Sequence, residues 1–204
     1  MADKNDTLRL AEAVAARLCH DLGGPIGSLN QALELAAADV PAGNEAFALA
    51  REAAGDLVRR LRWRRAAWAP DCTALDVNGL RDLMAEPLVD LAGIPPDTVF
   101  APLMVRLLLN VLLMATESLP RRGRIAIGGS ARDVFIAIDG PNAAWPAGMA
   151  HYLVDEDAAW DAVADPRTLQ APLTALLARG LGLRLSMLLG PHTAGPPVLR
   201  LSET

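Results

Sequence analysis

The stretch LCHDLGGPIGSLNQAL, Leu18 to Leu33, sets His20 directly before Asp21 and follows them with Gly23, Gly24, Pro25 and Gly27. A carboxylate beside an imidazole can accept a hydrogen bond from one ring nitrogen. This fixes the tautomer and leaves the other nitrogen with a free lone pair. A nucleophilic histidine needs that preparation. The setting is costly for a helix, since each Gly loses roughly 1 kcal/mol and Pro roughly 3 kcal/mol relative to Ala. Pro25 also denies the carbonyl of Asp21 its helical donor, so a bend is expected there. A helix that keeps such residues has a tertiary rescue or a job, and His20 is the candidate for the job.

Two residues turn a helix by about 200°, which points His20 away from both Leu18 and Leu22. Arg17, Gly24, Gly27, Ser28 and Gln31 share its face at three- and four-residue spacing. All are polar or very small, which leaves room for another protein to approach the imidazole. They form the expected partner-binding surface.

Two helices must carry this site. Leu18, Leu22, Ile26, Leu29 and Leu33 make an apolar stripe on a helix from about Thr7 to Asp39. DVPAGN, Asp39 to Asn44, is a turn by composition. Phe47, Ala50, Ala54, Leu57 and Leu61 line one face of a second helix, from about Asn44 to Trp68. A lone antiparallel hairpin cannot bury both stripes, whereas two copies paired as a four-helix bundle can, so a homodimer is expected. With the turn centred near residue 41, His20 lies level with Arg62. The one strongly basic segment, RRLRWRR (Arg59 to Arg65), thus comes alongside the histidine. Arg59, Arg60 and Arg62 are expected to steer an acidic partner toward the histidine. The plainer reading is a solvated helix end whose arginines complement the dipole.

From about residue 72 the pattern changes. ALDV reads as a short strand, GLRDLMAEPLVDLAG as a helix and DTVFA as another strand. PLMVRLLLNVLLMATESL, apolar on most faces, reads as a buried helix. RIAIGG and DVFIAIDG read as paired strands. The region from PNAAWP to Pro166 is irregular with one short helix, LTALLARGLGLRLSMLLG is helical and PPVLRLSE is a last strand. The fold class is α+β, a helical hairpin followed by an α/β sandwich.

Composition excludes several functions. The 204 residues carry a net charge of −5, which argues against bulk nucleic-acid binding, and 52% hydrophobic content argues against disorder. No apolar run is long enough to span a membrane, and the polar start MADKNDTLRL does not read as a signal peptide. Two cysteines and three histidines supply no spaced metal cluster. Free thiols suit a reducing compartment, and a cytoplasmic location is expected.

CHDLGGPIGSL resembles the phosphoacceptor motif of histidine kinases, in which an acidic residue follows the His and a Pro stands five after it. CHDLGGPIGSLNQALEL and LLLNVLLMATESLPRRGRIAI more closely resemble alphaproteobacterial histidine phosphotransferases of the ChpT type, over essentially the whole chain. Such proteins look like dimeric kinases that have lost ATP binding. The resemblance implies that residues 1–70 form the dimerisation and phosphotransfer hairpin and residues 71–204 a degenerate ATPase-like domain. It implies His20 as phosphoacceptor, relaying phosphate between receiver-domain aspartates. The implied partners are the receiver domain of a hybrid histidine kinase and those of response regulators. Mg²⁺ would sit on the partner, with no cofactor or metal on this chain.

The alternatives are an ATP-dependent histidine kinase and a non-catalytic dimeric scaffold. RGLGLRLSMLLG, Arg179 to Gly190, resembles the glycine-rich nucleotide box that opens a helix in kinase ATPases. Against a kinase, the pattern of two asparagines four apart puts Asn110 at the first and Met114 at the second, where Mg²⁺ requires a hard oxygen. IDGPNAAW has Asp139 and Gly140 adjacent and lacks the later glycine of Asp-x-Gly-x-Gly. Neither autophosphorylation nor more than weak nucleotide binding is expected.

Overall fold

A computed structural model of the chain describes residues 4–37, 43–84, 88–119, 123–189 and 195–204. Helix α1 runs Lys4–Ala37 with Pro25 inside it, and α2 runs Gly43–Trp68. The two pack along each other as a hairpin. Most of the DVPAGN turn lies outside the described residues, as does His192. Pro25 does not end α1, which packs along α2. On α2, Ala46 and Ala50 are both buried. The outer stripe is not consumed within one chain: Ile26, Leu33, Phe47, Val58 and Leu61 are each at least 40% exposed.

The rest is a layer of helices on one five-stranded sheet. Strand β1 (Leu75–Asp76) pairs with β3 (Val99–Phe100), and α3 (Val77–Met84) lies between them in sequence. The sheet has the order β2-β4-β5-β7-β6, with β2 Val89–Gly93, β4 Arg124–Gly129, β5 Asp133–Asp139, β6 Leu183–Leu188 and β7 Val198–Glu203. Strands β2 and β4 are parallel, joined through α4 (Pro102–Glu117), and the other pairs are antiparallel. Alternate residues face the helices, so Ile127 sits opposite Ile136, and Ile136 opposite Leu199. The middle of α4 is buried on every side, with Leu107 to Leu109, Val111 and Leu112 fully enclosed. Trp63 and Ala67 of α2 belong to this same core, which fixes the base of the hairpin to the sandwich.

Two segments depart from the sequence reading. The helix expected through GLRDLMAEPLVDLAG stops at Met84, and Val89–Gly93 is a strand. Pro87 in the sequence disfavours helix in the residue before it. Gly93 is required because a Cβ there would stand 2.7 Å from the carbonyl oxygen of Ile127. The helix expected through LTALLARGLGLRLSMLLG is α7 (Gln170–Gly180) followed by β6. Gly182 takes the left-handed conformation at φ 67°, which ends the helix. Beyond it Leu183, Leu185 and Met187 alternate with Arg184 and Ser186, the period of a strand. The GLG run therefore closes a helix and does not open one. The irregular region holds two short helices instead of one, α5 (Met149–Val154) and α6 (Glu156–Ala162). They are separated by Asp155, whose carboxylate accepts from the N–H of Ala158 as an N-cap.

A second, smaller core fixes the first half of α1. Ala13 is buried with Val163 and Leu169, and Leu10, Val14, Trp160 and Leu173 pack against them. Among the described residues no helix is long and apolar enough to cross a membrane.

Three buried polar side chains lock α2, α4 and α7 together. Asn110 donates through Nδ2 to the carbonyls of Ala67 (2.7 Å) and Arg106 (2.9 Å). Gln170 donates through Nε2 to the Asn110 carbonyl and side-chain oxygens, both at 3.1 Å. The Thr174 hydroxyl donates to the Gln170 carbonyl at 2.6 Å. Replacing Asn110 by Ala strands the Ala67 carbonyl. It should cost about 1–3 kcal/mol in urea unfolding, with a stability equal to wild type as the contrary result.

Candidate functional site

His20 stands on the outer side of α1 with its side chain 75% exposed. Its Nδ1 lies 3.2 Å from Oδ1 of Asp21. Adjacent helical side chains diverge, so the bond depends on what holds the carboxylate. Asp21 is held on its other oxygen, where Oδ2 accepts from Nε of Arg17 at 2.8 Å and from Nη2 of Arg64 at 2.7 Å. Arg17 reaches it from one turn earlier on α1, Arg64 from the antiparallel helix α2. Burial opposes the charge on Asp21, but the bonds from Arg17, Arg64 and His20 outweigh it and hold the carboxyl below its ordinary range. An ionised carboxylate only accepts, so Nδ1 of His20 donates, and in the neutral ring Nε2 then carries the lone pair.

Arg17 is not part of the open surface. Its side chain is 13% exposed and turns inward. Nη1 donates to the carbonyls of Arg167 (2.9 Å) and Pro166 (3.3 Å), and Nη2 donates to Oε1 of Glu117 at the end of α4. The reason is chemical: the guanidinium fork finds four acceptors inward and none outward. Desolvation lifts the carboxyl of Glu117 above its ordinary range, against the pull of Arg17 and with the push of Asp21.

Gly24, Gly27, Ser28 and Gln31 are exposed on the helix below His20. A Cβ added at Gly23, Gly24 or Gly27 would meet nothing within 4 Å. The surface beside the imidazole is therefore open and shallow.

The arginines divide. The sequence reading puts Arg62 level with His20, but the hairpin register runs about three residues further, and Arg64 meets Asp21. Arg59, Arg60 and Arg64 line a cleft of about 540 Å³ with Asp21, Asp56 and Glu117, floored by Trp63, Met84 and Leu113. Arg59 pairs with Asp56, while Arg60 forms no ion pair among the described residues. Arg62 lines a different groove, with Arg65, Cys72 and Leu83. Sequence reasoning missed the roles of Arg64 and Glu117. Arg64 lies within the basic run that signalled the cluster; Glu117 has no local signal, because its partner is a hundred residues away.

The family model for the histidine phosphotransferase C-terminal domain matches residues 90–192. The chain belongs to that family. It is 27% identical over 193 residues to protein phosphotransferase ChpT of Brucella abortus (strain 2308), covering 88% of this chain and 90% of that one. A solved bacterial phosphotransferase shares its fold with a TM-score of 0.74 at 24% identity, over 99% of this chain and 98% of the other. The mixed helix-and-sheet architecture expected from the sequence is thus that of a histidine phosphotransferase. Asn110, which the sequence reading sets against the first kinase asparagine, is a buried structural link.

Asp21→Asn removes the acceptor charge shared by two arginines. It should lower stability at pH 7 by about 1–3 kcal/mol. Because the folded-state pKa of Asp21 is depressed, its contribution is present above the unfolded value near 3.8 and fades as pH falls through the folded one. The deficit of the variant, followed by denaturant unfolding across pH, should therefore shrink at acid pH. A deficit constant from pH 7 to pH 3 would contradict the assignment.

Proposed function

We propose that the chain relays a phosphoryl group through His20 between the receiver-domain aspartates of other proteins, working as a homodimer and without ATP of its own. The observation that carries this is the exposed imidazole whose Nδ1 is anchored to a carboxylate held by two arginines.

In the forward step Nε2 attacks the phosphorus of an aspartyl phosphate on one receiver. The P–N bond forms as the P–O bond to that aspartate breaks, and the carboxylate leaves with the bonding pair. The ring becomes an imidazolium whose Nδ1 proton stays hydrogen-bonded to Asp21. In the second step a receiver aspartate attacks the phosphorus, the P–N bond breaks and the neutral imidazole returns. Asp21 balances the ring charge in both directions. Metal chemistry belongs to the receivers, which would bring Mg²⁺ in their own acidic pockets. Arg60, which forms no ion pair among the described residues, lines the cleft with Arg59, and both favour such a negative surface.

Three features support a phosphoryl source outside the chain. The Asn110 amide is committed to the carbonyls of Ala67 and Arg106. Met114 is fully buried and offers a soft thioether where Mg²⁺ requires oxygen. Gly180 and Gly182 end α7, so no helix N-terminus faces a phosphate there. The exposed stripe of Ile26, Leu33, Phe47, Val58 and Leu61 supports the dimer, since a second hairpin would cover it.

The test is label transfer from a phosphorylated receiver domain. Acid-labile, base-stable label should appear on the wild type and be absent from His20→Ala; label retained on the variant would overturn the proposal. Light scattering at micromolar concentration should give twice the chain mass, and a single-chain mass would remove the dimer. Replacing Arg59 and Arg60 together by Ala should slow transfer about tenfold at low salt and flatten its salt dependence, with Arg62→Ala milder. Equal rates for all three would return the cluster to a solvated helix end.

A further inference from the structure

The residues around Arg17 form one continuous chain of bonds from the sandwich to the histidine. Glu117 ends the buried helix α4. Its Oε1 accepts from Nη2 of Arg17, Nε of Arg17 donates to Asp21, and Asp21 accepts from Nδ1 of His20. The carbonyls of Pro166 and Arg167, just before α7, take Nη1. A guanidinium is planar, and partners on Nε, Nη1 and Nη2 leave its plane one orientation. Glu117 is the partner on Nη2. Without it the fork keeps Asp21 on Nε and the two backbone carbonyls on Nη1 but loses the charged partner that draws it toward α4, so the aim of Oδ1 of Asp21 at the imidazole loosens. Arg64 still neutralises Asp21, but a single donor on Oδ2 does not set the direction of Oδ1.

We propose that Glu117 is a positioning residue for the phosphoacceptor: through Arg17 it orients Asp21, so that the end of α4 sets the tautomer of His20. The inference rests on the phosphotransfer reading for its consequence, but not for its geometry. It also gives the sandwich a task in transfer that requires no nucleotide. Among the described residues, the hydrogen bond that links the Glu117 side chain to Asp21 runs through Arg17.

The experiment uses the full chain labelled with ¹⁵N, and reads the His20 imidazole tautomer by long-range proton–nitrogen correlation at a pH where the ring is neutral. Phosphotransfer from a phosphorylated receiver is measured on the same samples. In the wild type the Nδ1–H form should dominate. Glu117→Ala should shift the ring toward the Nε2–H form and slow transfer about tenfold. Glu117→Gln keeps an oxygen acceptor for Nη2 and should restore both readouts to within about threefold of wild type. Arg17→Lys keeps the charge but loses the fork, and should behave as Glu117→Ala. Should the lysine variant unfold, the Glu117 pair decides alone. A Glu117→Ala protein with the wild-type tautomer population overturns the inference. A tautomer that responds to Glu117 in a protein that takes no label at His20 would support the positioning and sink the relay instead.

Discussion

Asp21 is a carboxylate with its side chain 11% exposed, and the geometry around His20 depends on how its charge is met. Taking a carboxylate out of water costs several kcal/mol unless opposite charge and hydrogen bonds replace the lost solvation. Arg17 and Arg64 do this from two helices at once, both with side chains under 14% exposed. Removing one partner of such a set is more damaging than the set is stabilising, because a charge is then left without solvent or counter-charge. The interaction therefore constrains more than it stabilises. It ties α1 to α2 at one register and leaves one carboxylate oxygen for the histidine. It also brings Arg17 within reach of Glu117 and the backbone before α7.

The same logic of committed polar groups runs through the sandwich. Helix α4 carries Asn110 at its centre, where a buried amide needs partners inside the protein. The amide is satisfied by Ala67 at the end of α2, while Gln170 and Thr174 of α7 complete the network. A side chain in that role holds three helices in place. The hairpin is thus fastened to the sandwich twice: at its base through Trp63, Ala67 and Asn110, and midway along α1 through Arg17 and the small core around Ala13. Its unfastened side is the stripe of exposed apolar residues, along with the open glycine surface beside His20.

The strongly periodic elements were legible in the sequence. The helices of the hairpin follow from residues three and four apart, and β4 and β5 from Ile and Val at alternate positions. Two leucine-rich segments were not. LGLRLSMLL has the composition of a helix and the alternation of a strand, and the backbone at Gly182 decides between them. LVDLAG was misread in the same way, because its pairing with β4 is non-local. At the site, the His20–Asp21 pairing is a neighbour effect and could be read. Arg64 opposite Asp21 depends on a register set by turn residues whose composition gives only an approximate centre. Glu117 could not be found at all from local pattern, since its contact with Arg17 exists only once α4 and α1 are packed.

The central claim is that Asp21 occupies one imidazole nitrogen of His20 and leaves the other to react. The position of the phosphoryl group on the ring tests it most directly. Nitrogen and phosphorus NMR of the phosphorylated chain distinguish attachment at Nε2 from attachment at Nδ1. The account predicts phosphate on Nε2 of His20, with Nδ1 still protonated. Phosphate on Nδ1, or on another residue, would contradict it.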